Sequence, residues 1–119
     1  MRVIVCGGRD YTDQKKVNEV LDELFLEVME RDPHLTIIEG GSRGADACAK
    51  HWAGYGLLAV KHERYPADWD KHSKSAGVIR NQQMLDTGVD LVIAFPGGTG
   101  TQDMIDRALK AGVEVRLIR

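Results

Sequence analysis

The sequence has few cysteines and no long hydrophobic run, and both absences exclude classes of protein. Its two cysteines, Cys6 and Cys48, are far apart and match no metal-binding or redox spacing. We therefore expect buried, reduced thiols, which suit the cytoplasm. No apolar segment is long enough to span a bilayer, and the opening residues, MRVIVCGG, have neither the length nor the cleavage site of a signal peptide.

The sequence also lacks an excess of one charge and any metal-ligand spacing. The net charge is −2, so nucleic acid and anionic membranes are not predicted as partners. The four histidines show no spacing typical of ligands, and no metal site is predicted. A small anionic ligand, held by local basic groups, remains compatible with this composition.

Glycine is abundant, with 13 among 119 residues, and it separates short apolar runs from segments with helical spacing. The apolar runs predict strands over residues 2–6, 35–38, 57–60, 91–94 and 113–118. The helical spacing predicts helices over residues 12–28, 45–53, 76–85 and 101–111. Segment 64–75 shows no period and is predicted to be an irregular loop, of a length that is often functional.

Alternating strands and helices favour a parallel sheet covered on both faces. We predict one α/β domain over residues 1–119, a Rossmann-like three-layer sandwich whose mainly parallel sheet has about five strands in the order 3-2-1-4-5. In that order the chain reverses direction between strands 1 and 4. Open α/β sheets bind ligands at the carboxyl ends of the strands at such a point.

Three glycine-rich loops are predicted to meet at that edge of the sheet. They are GGRDY after strand 1, GGSRG after strand 2 and PGGTGT after strand 4. Glycine lets backbone amides approach a phosphate, and a helix N-terminus adds partial positive charge. The residues predicted to bind such a ligand are Gly7, Gly8, Arg9, Gly41, Ser42, Arg43, Asp46, Arg80, Pro96, Gly97, Gly98, Thr99, Gly100 and Thr101.

Each of these signals has an alternative interpretation. Any strand-to-helix turn uses glycine, and the spacing matches neither the P-loop nor the G-x-G-x-x-G fingerprint. Asp46 either offsets the helix dipole or binds Arg43, or it accepts a hydrogen bond from a ribose hydroxyl. Tyr11 and Trp69 either stack on a base or pack their loops onto the domain.

Five motifs in this order, GGRDY, GGSRGAD, PADWD, AGVIRNQQM and FPGGTGT, resemble the YspA-like branch of the SLOG superfamily over residues 3–115. The resemblance implies a sensor or processing domain for a nucleotide-derived ligand, associated with phage and defence systems. It also implies a homo-oligomer, a dimer or larger, and requires no further cofactor.

The superfamily is similar in part to the LOG phosphoribohydrolases and to the DNA-processing protein DprA. Residues 80–84 match the LOG motif R-K-x-x-M, with Asn81 in place of Lys, and this adds Asn81 to the ligand-binding residues. In LOG enzymes the Arg acts with a Glu on the N-glycosidic bond, so the catalytic candidates are Arg80 and Asp103. The Glu position itself holds Met104, and Asp103 lies one residue earlier, about 100° around the helix.

The resulting expectation is a domain that binds a nucleotide. The alternative is a LOG-like nucleoside 5′-monophosphate phosphoribohydrolase. DprA-like binding of single-stranded DNA is less favoured, because acidic residues outnumber basic ones by 18 to 16.

Overall fold

The computed structural model describes residues 1–32, 34–55 and 60–119, and a five-stranded sheet lies at its centre. In chain order the strands are β1 (Arg2–Cys6), β2 (Leu35–Glu39), β3 (Val60–Arg64), β4 (Leu91–Ala94) and β5 (Glu114–Leu117). The helices are α1 (Gln14–Met29), α2 (Ala45–Ala53), α3 (Trp69–His72), α4 (Ala76–Asp86) and α5 (Thr99–Lys110), and a 3₁₀ turn (Ser73–Ser75) joins α3 to α4.

The strands pair in the order β3-β2-β1-β4-β5, and all four pairings are parallel. Val3 of β1 lies opposite Ile37 of β2 on one side and Leu91 of β4 on the other. The predicted α/β class and strand order are confirmed. Because β1 and β4 are neighbours but feed helices on opposite faces, the loops after them separate and leave a crevice.

The central strands are buried on both faces. Val3 and Val5 pack in a cluster with residues of α1 and α2, whereas Ile4 and Cys6 pack in a second cluster with residues of α4 and α5. Alternate side chains of one strand therefore serve two cores, which requires every position to be apolar. This requirement explains why β1 and β4 occur in the sequence as continuous apolar runs.

The third strand differs from its predicted position. Residues 57–59 of the predicted strand lie outside the described part of the chain, and β3 is formed by VKHER at 60–64. This is an edge strand whose residues are partly or fully exposed. Its place is set by pairing with β2, in which Leu35 lies opposite Val60 and Glu39 opposite Arg64. Polar edge strands of this kind leave no apolar run for sequence analysis to detect.

The segment predicted to be an irregular loop contains the short helix α3 and the 3₁₀ turn. The Asp68 side chain caps α3 by accepting a hydrogen bond from the Lys71 N–H at 3.0 Å. Helix α5 begins at Thr99, two residues before its predicted start, with Gly98 as the N-cap residue. Within the described residues, none of the helices combines the length and apolar character that crossing a membrane requires.

Candidate functional site

A cleft of about 580 Å³ opens where the loops after β1, β2 and β4 meet α4. Its volume falls within the range of about 300–1,000 Å³ that small-molecule sites occupy. The predicted residues that line it are Gly7, Gly8, Arg9, Ser42, Asp46, Arg80, Asn81, Gly98, Thr99, Gly100, Thr101 and Asp103. The structure therefore brings all three glycine-rich loops to one cavity.

The N-terminus of α5 forms the open side of this cleft. Its N-cap residue, Gly98, makes no side-chain capping bond, and the first turn carries no acidic residue. A Cβ atom at Gly98 or Gly100 would meet nothing within 4 Å. The first N–H groups of a helix have no partner within the helix. Here they lie beside free space, in a cleft that Thr99 and Thr101 also line.

Arg80 reaches the cleft from the second turn of α4 and is held by two contacts. Its Nη1 donates to the carbonyl oxygen of Gly40, and its Nε donates to Asn81 Oδ1 at 3.1 Å. A Cβ atom at position 40 would overlap the guanidinium group, so glycine there lets Arg80 keep this position. Burial lowers the pKa of Arg80, and the nearby Asp46 carboxylate opposes that change. An arginine remains charged under these conditions and supplies a fixed positive group.

Asp46 lies in the first turn of α2 and is only 6% exposed. Burial raises the pKa of its carboxyl group to about 6, while the hydrogen bond from the Ser42 N–H at 3.1 Å and the charge of Arg80 act in the opposite direction. Arg43 is not its partner, because the Arg43 guanidinium contacts Asp10 Oδ1 at 3.3 Å. Burying this charge lowers the stability of the fold, and a carboxylate that is retained in a cleft despite such a cost is a candidate functional group.

Four residues predicted to bind the ligand do not line the cleft: Gly41, Arg43, Pro96 and Gly97. Three of them have structural contacts instead. Gly41 adopts a φ of +76° and donates its N–H to the Glu39 carboxylate. The Pro96 carbonyl accepts the Gly8 N–H at 2.9 Å, and a Cβ atom at Gly97 would overlap Thr101. Arg43 is largely exposed, with 75% of its side chain accessible.

Asn81 connects α4 to α5. Its Nδ2 donates to the Gly100 carbonyl at 3.1 Å and to Asp103 Oδ2 at 3.0 Å. The same Asp103 oxygen accepts from Arg107 Nε at 2.8 Å, so this carboxylate already has two donors. Met104 is fully buried in the core beneath α5. The asparagine in place of the LOG lysine therefore has a structural contact of its own.

Several groups at the site were not among the residues predicted to bind the ligand. Cys6, Lys74, Gly77, Val78 and Met84 also line the cleft. Burial raises the pKa of the Cys6 thiol to about 12, so it stays protonated. Cys6 belongs to β1 and Gly77, Val78 and Met84 belong to α4, so these four residues reach the cavity through tertiary packing that the local sequence does not reveal.

Beside the cleft, Glu39 was also missed, because the predicted strand ended at Ile38. Its carboxylate is fully buried and contacts His62 Nε2 at 2.7 Å and Arg64 Nε at 3.1 Å. Both partners come from β3, the strand whose position sequence analysis did not find. Among the residues described, no group of three or more His, Cys, Asp or Glu side chains is arranged to hold a metal ion.

Three comparisons identify similar proteins. A family model described as "YspA, cpYpsA-related SLOG family" matches residues 1–72. The "Gene 61 protein" of Mycobacterium phage D29 is 40% identical over 122 residues, which cover 96% of this chain and 93% of the relative. The X-ray structure of TM1055, a Northeast Structural Genomics Consortium target, aligns with 97% of this chain and 72% of its own, with a TM-score of 0.56 and 17% identity. At that identity, the alignment supports the fold alone.

Proposed function

Since the chain belongs to the YspA, cpYpsA-related SLOG family, we propose that its cleft binds a nucleotide or nucleotide-derived ligand through a phosphate group. One observation carries this proposal: the uncapped N-terminus of α5 and the fixed guanidinium of Arg80 line the same cleft. Free amides at a helix N-terminus and the guanidinium group of an arginine both suit the binding of phosphate.

The charges around the cleft support an anionic ligand. Three cationic side chains line it, those of Arg9, Lys74 and Arg80, against two carboxylates. Of the carboxylates, Asp103 is paired with Arg107, and burial raises the pKa of Asp46 to about 6. The cleft therefore carries a local positive bias although the whole chain has a net charge of −2.

Binding without hydrolysis is the form of the proposal that these residues favour. LOG-type cleavage uses a carboxylate at the position of Met104, whose thioether cannot replace it and is fully buried. Asp103, the neighbouring carboxylate, is held by Asn81 and Arg107. We also propose an association with phage, which the relative in phage D29 supports. A homo-oligomer is proposed from the family resemblance, and a cytoplasmic location is proposed from the free, buried cysteines.

Calorimetry with AMP, ADP-ribose, NAD and cyclic nucleotides tests the proposal. We expect at least one of them to bind, and Arg80→Ala to weaken binding by about 10- to 100-fold, the usual effect of a lost charge-assisted hydrogen bond. Arg80→Lys keeps the charge and should lose less. Arg31→Ala removes an exposed arginine beyond the C-terminal end of α1 and serves as the control.

Two outcomes would contradict the proposal: no binding by any of these nucleotides, or equal binding by wild type and Arg80→Ala. Thermal unfolding of each variant checks that the fold is retained, because Arg80 also donates to Gly40. Release of free base from AMP, lost in Arg80→Ala, would instead identify a phosphoribohydrolase.

A further inference from the structure

Trp69 is a large aromatic side chain that lines the cleft and remains 49% exposed. It opens the short helix α3, in the segment between β3 and α4. A tryptophan that served only to pack this segment would have its ring covered by the domain. Trp52, the other tryptophan, shows that alternative, because it is 3% exposed and its Nε1 donates to Asp22 at 2.8 Å.

Two residues lie next to the Trp69 ring. The guanidinium carbon of Arg9, in the loop after β1, lies 5.3 Å from the ring centroid. On α4, Gly77 faces the ring closely enough that an added Cβ would lie 3.6 Å from Trp69 Cη2. The ring therefore spans the mouth of the cleft between the β1 loop and the first turn of α4.

The cleft has two chemically different parts. One part carries the amides of the α5 N-terminus, which Asn81 ties to α4 through the Gly100 carbonyl. The other part carries the Trp69 ring beside Gly77. Gly77 precedes Asn81 by four residues on α4, so the two residues are about 6 Å apart along the helix axis. Val78 and Met84 also line the cleft and add apolar surface. A ligand that fills both parts has an anionic group at one end and a flat aromatic group at the other, separated by about 6 Å.

We infer that Trp69 stacks on the aromatic base of the ligand, which makes the ligand a nucleotide with an intact base rather than a sugar phosphate or a free diphosphate. The inference rests on the proposed function, because it requires the phosphate to be bound at α5 so that the base at the other end of the ligand reaches the Trp69 ring. On binding, the base replaces Arg9 at the ring, since stacking of a base on an aromatic ring is stronger than an exposed cation–π contact. The freed Arg9 then becomes available to the phosphate.

The test compares ligands with and without a base on the same protein. AMP and ADP-ribose are the base-containing probes, and ribose 5-phosphate and pyrophosphate are the probes for the phosphate part alone. We expect Trp69→Leu to weaken binding of AMP or ADP-ribose by roughly 5- to 100-fold, the range of base stacking on an aromatic side chain. Trp69→Phe should lose less, and neither variant should weaken the binding of ribose 5-phosphate or pyrophosphate, because Arg9 is free for the phosphate when the Trp69 ring is absent.

Tryptophan fluorescence gives a second readout, because the chain has only two tryptophans and Trp52 lies in the core. AMP or ADP-ribose should quench the emission of the wild type and leave the emission of Trp69→Phe unchanged. Equal affinity of wild type and Trp69→Leu for the nucleotides, or an equal loss for ribose 5-phosphate, would overturn the stacking role and leave the phosphate site standing. Failure of every probe to bind wild type would overturn the proposed function and, with it, this inference.

Discussion

The N-termini of α2 and α5 arise from the same sequence pattern, a buried strand followed by glycines and a helix, but they end in different surroundings. At α2 the N-cap residue Gly44 packs against the backbone of Gly8 and Arg9, and the Ala45 N–H donates to the Gly8 carbonyl at 3.1 Å. At α5 the N-cap residue Gly98 has open space beside it. Glycines thus permit close packing at one junction and leave room at the other.

The two junctions also differ in charge. The first turn of α2 holds the buried carboxylate of Asp46, whereas the first turn of α5 holds no acidic residue. The protein's own carboxylate therefore offsets the positive end of α2, and the positive end of α5 is left for a ligand. An anion in the cleft is expected to bind nearer to α5 than to α2.

The largest expected effect comes from adding one methyl group at the packed junction. Gly44 has a φ of +79°, and a Cβ there would overlap the carbonyl groups of Gly8 and Arg9. We expect Gly44→Ala to lower the free energy of unfolding by about 3–5 kcal/mol, because an unfavourable backbone conformation and a steric overlap add together. Denaturant unfolding followed by circular dichroism measures the change.

Gly100→Ala is the matched control at the open junction. Position 100 is helical and an added Cβ meets nothing, so the same methyl group should raise the free energy of unfolding by about 0.5 kcal/mol. Equal losses in the two variants would remove the distinction between the junctions.

The next effect concerns the buried carboxylate at α2. Because the pKa of Asp46 rises from 3.8 to about 6 on folding, the unfolded chain ionises first as pH increases. The Asp46 carboxyl group leaves the free energy of unfolding unchanged below about pH 4, where it is protonated in both states. Its ionisation lowers the free energy of unfolding progressively between about pH 4 and 6, and the loss persists above about pH 6. The pKa change corresponds to about 3 kcal/mol. Asp46→Asn should recover up to that amount at pH 7.5 and almost nothing at pH 3.5.

Thermal or urea unfolding at the two pH values checks this prediction. Asp106→Asn is the control, because Asp106 is an exposed carboxylate of α5 that bonds only locally to Gln102 at 2.9 Å. A gain for Asp46→Asn that is the same at both pH values would show that burial of the charge is not its cause. A gain would also mean that the wild type keeps Asp46 at a cost in stability, as functional carboxylates often are kept.

The strands that are buried on both faces were predictable from the sequence, whereas the position of the strand that depends on a neighbour was not. β1 and β4 were predicted with their observed bounds, because a strand buried on both faces must be apolar throughout. β3 has the sequence VKHER, and only its pairing with β2 marks it as a strand. His62 and Arg64, the β3 residues that contact the buried Glu39, were missed for the same reason.

The same limit applies to the glycine loops. Their meeting at one edge follows from strand order, which local patterns predict well. Whether a given glycine is packed or open depends on residues far away in sequence, such as Gly8 beside Gly44 or Arg80 beside Gly40. Local sequence carries no information on these contacts, so Gly41, Gly97 and Gly98 were assigned the same role although only Gly98 lines the cleft.

The smallest change in stability, with a large effect on binding, is expected at the open junction. An aspartate at the N-cap position of α5 would accept hydrogen bonds from the free amides, and Gly98→Asp should therefore be neutral or raise the free energy of unfolding by roughly a few tenths of a kcal/mol. The same carboxylate would occupy the phosphate position and repel an anion, so nucleotide binding should be lost.

Gly98→Ser caps the helix without a charge and should keep most of the binding. Calorimetry and thermal unfolding of both variants separate the two effects, and a Gly98→Asp protein that still bound nucleotides with wild-type affinity would place the phosphate away from α5.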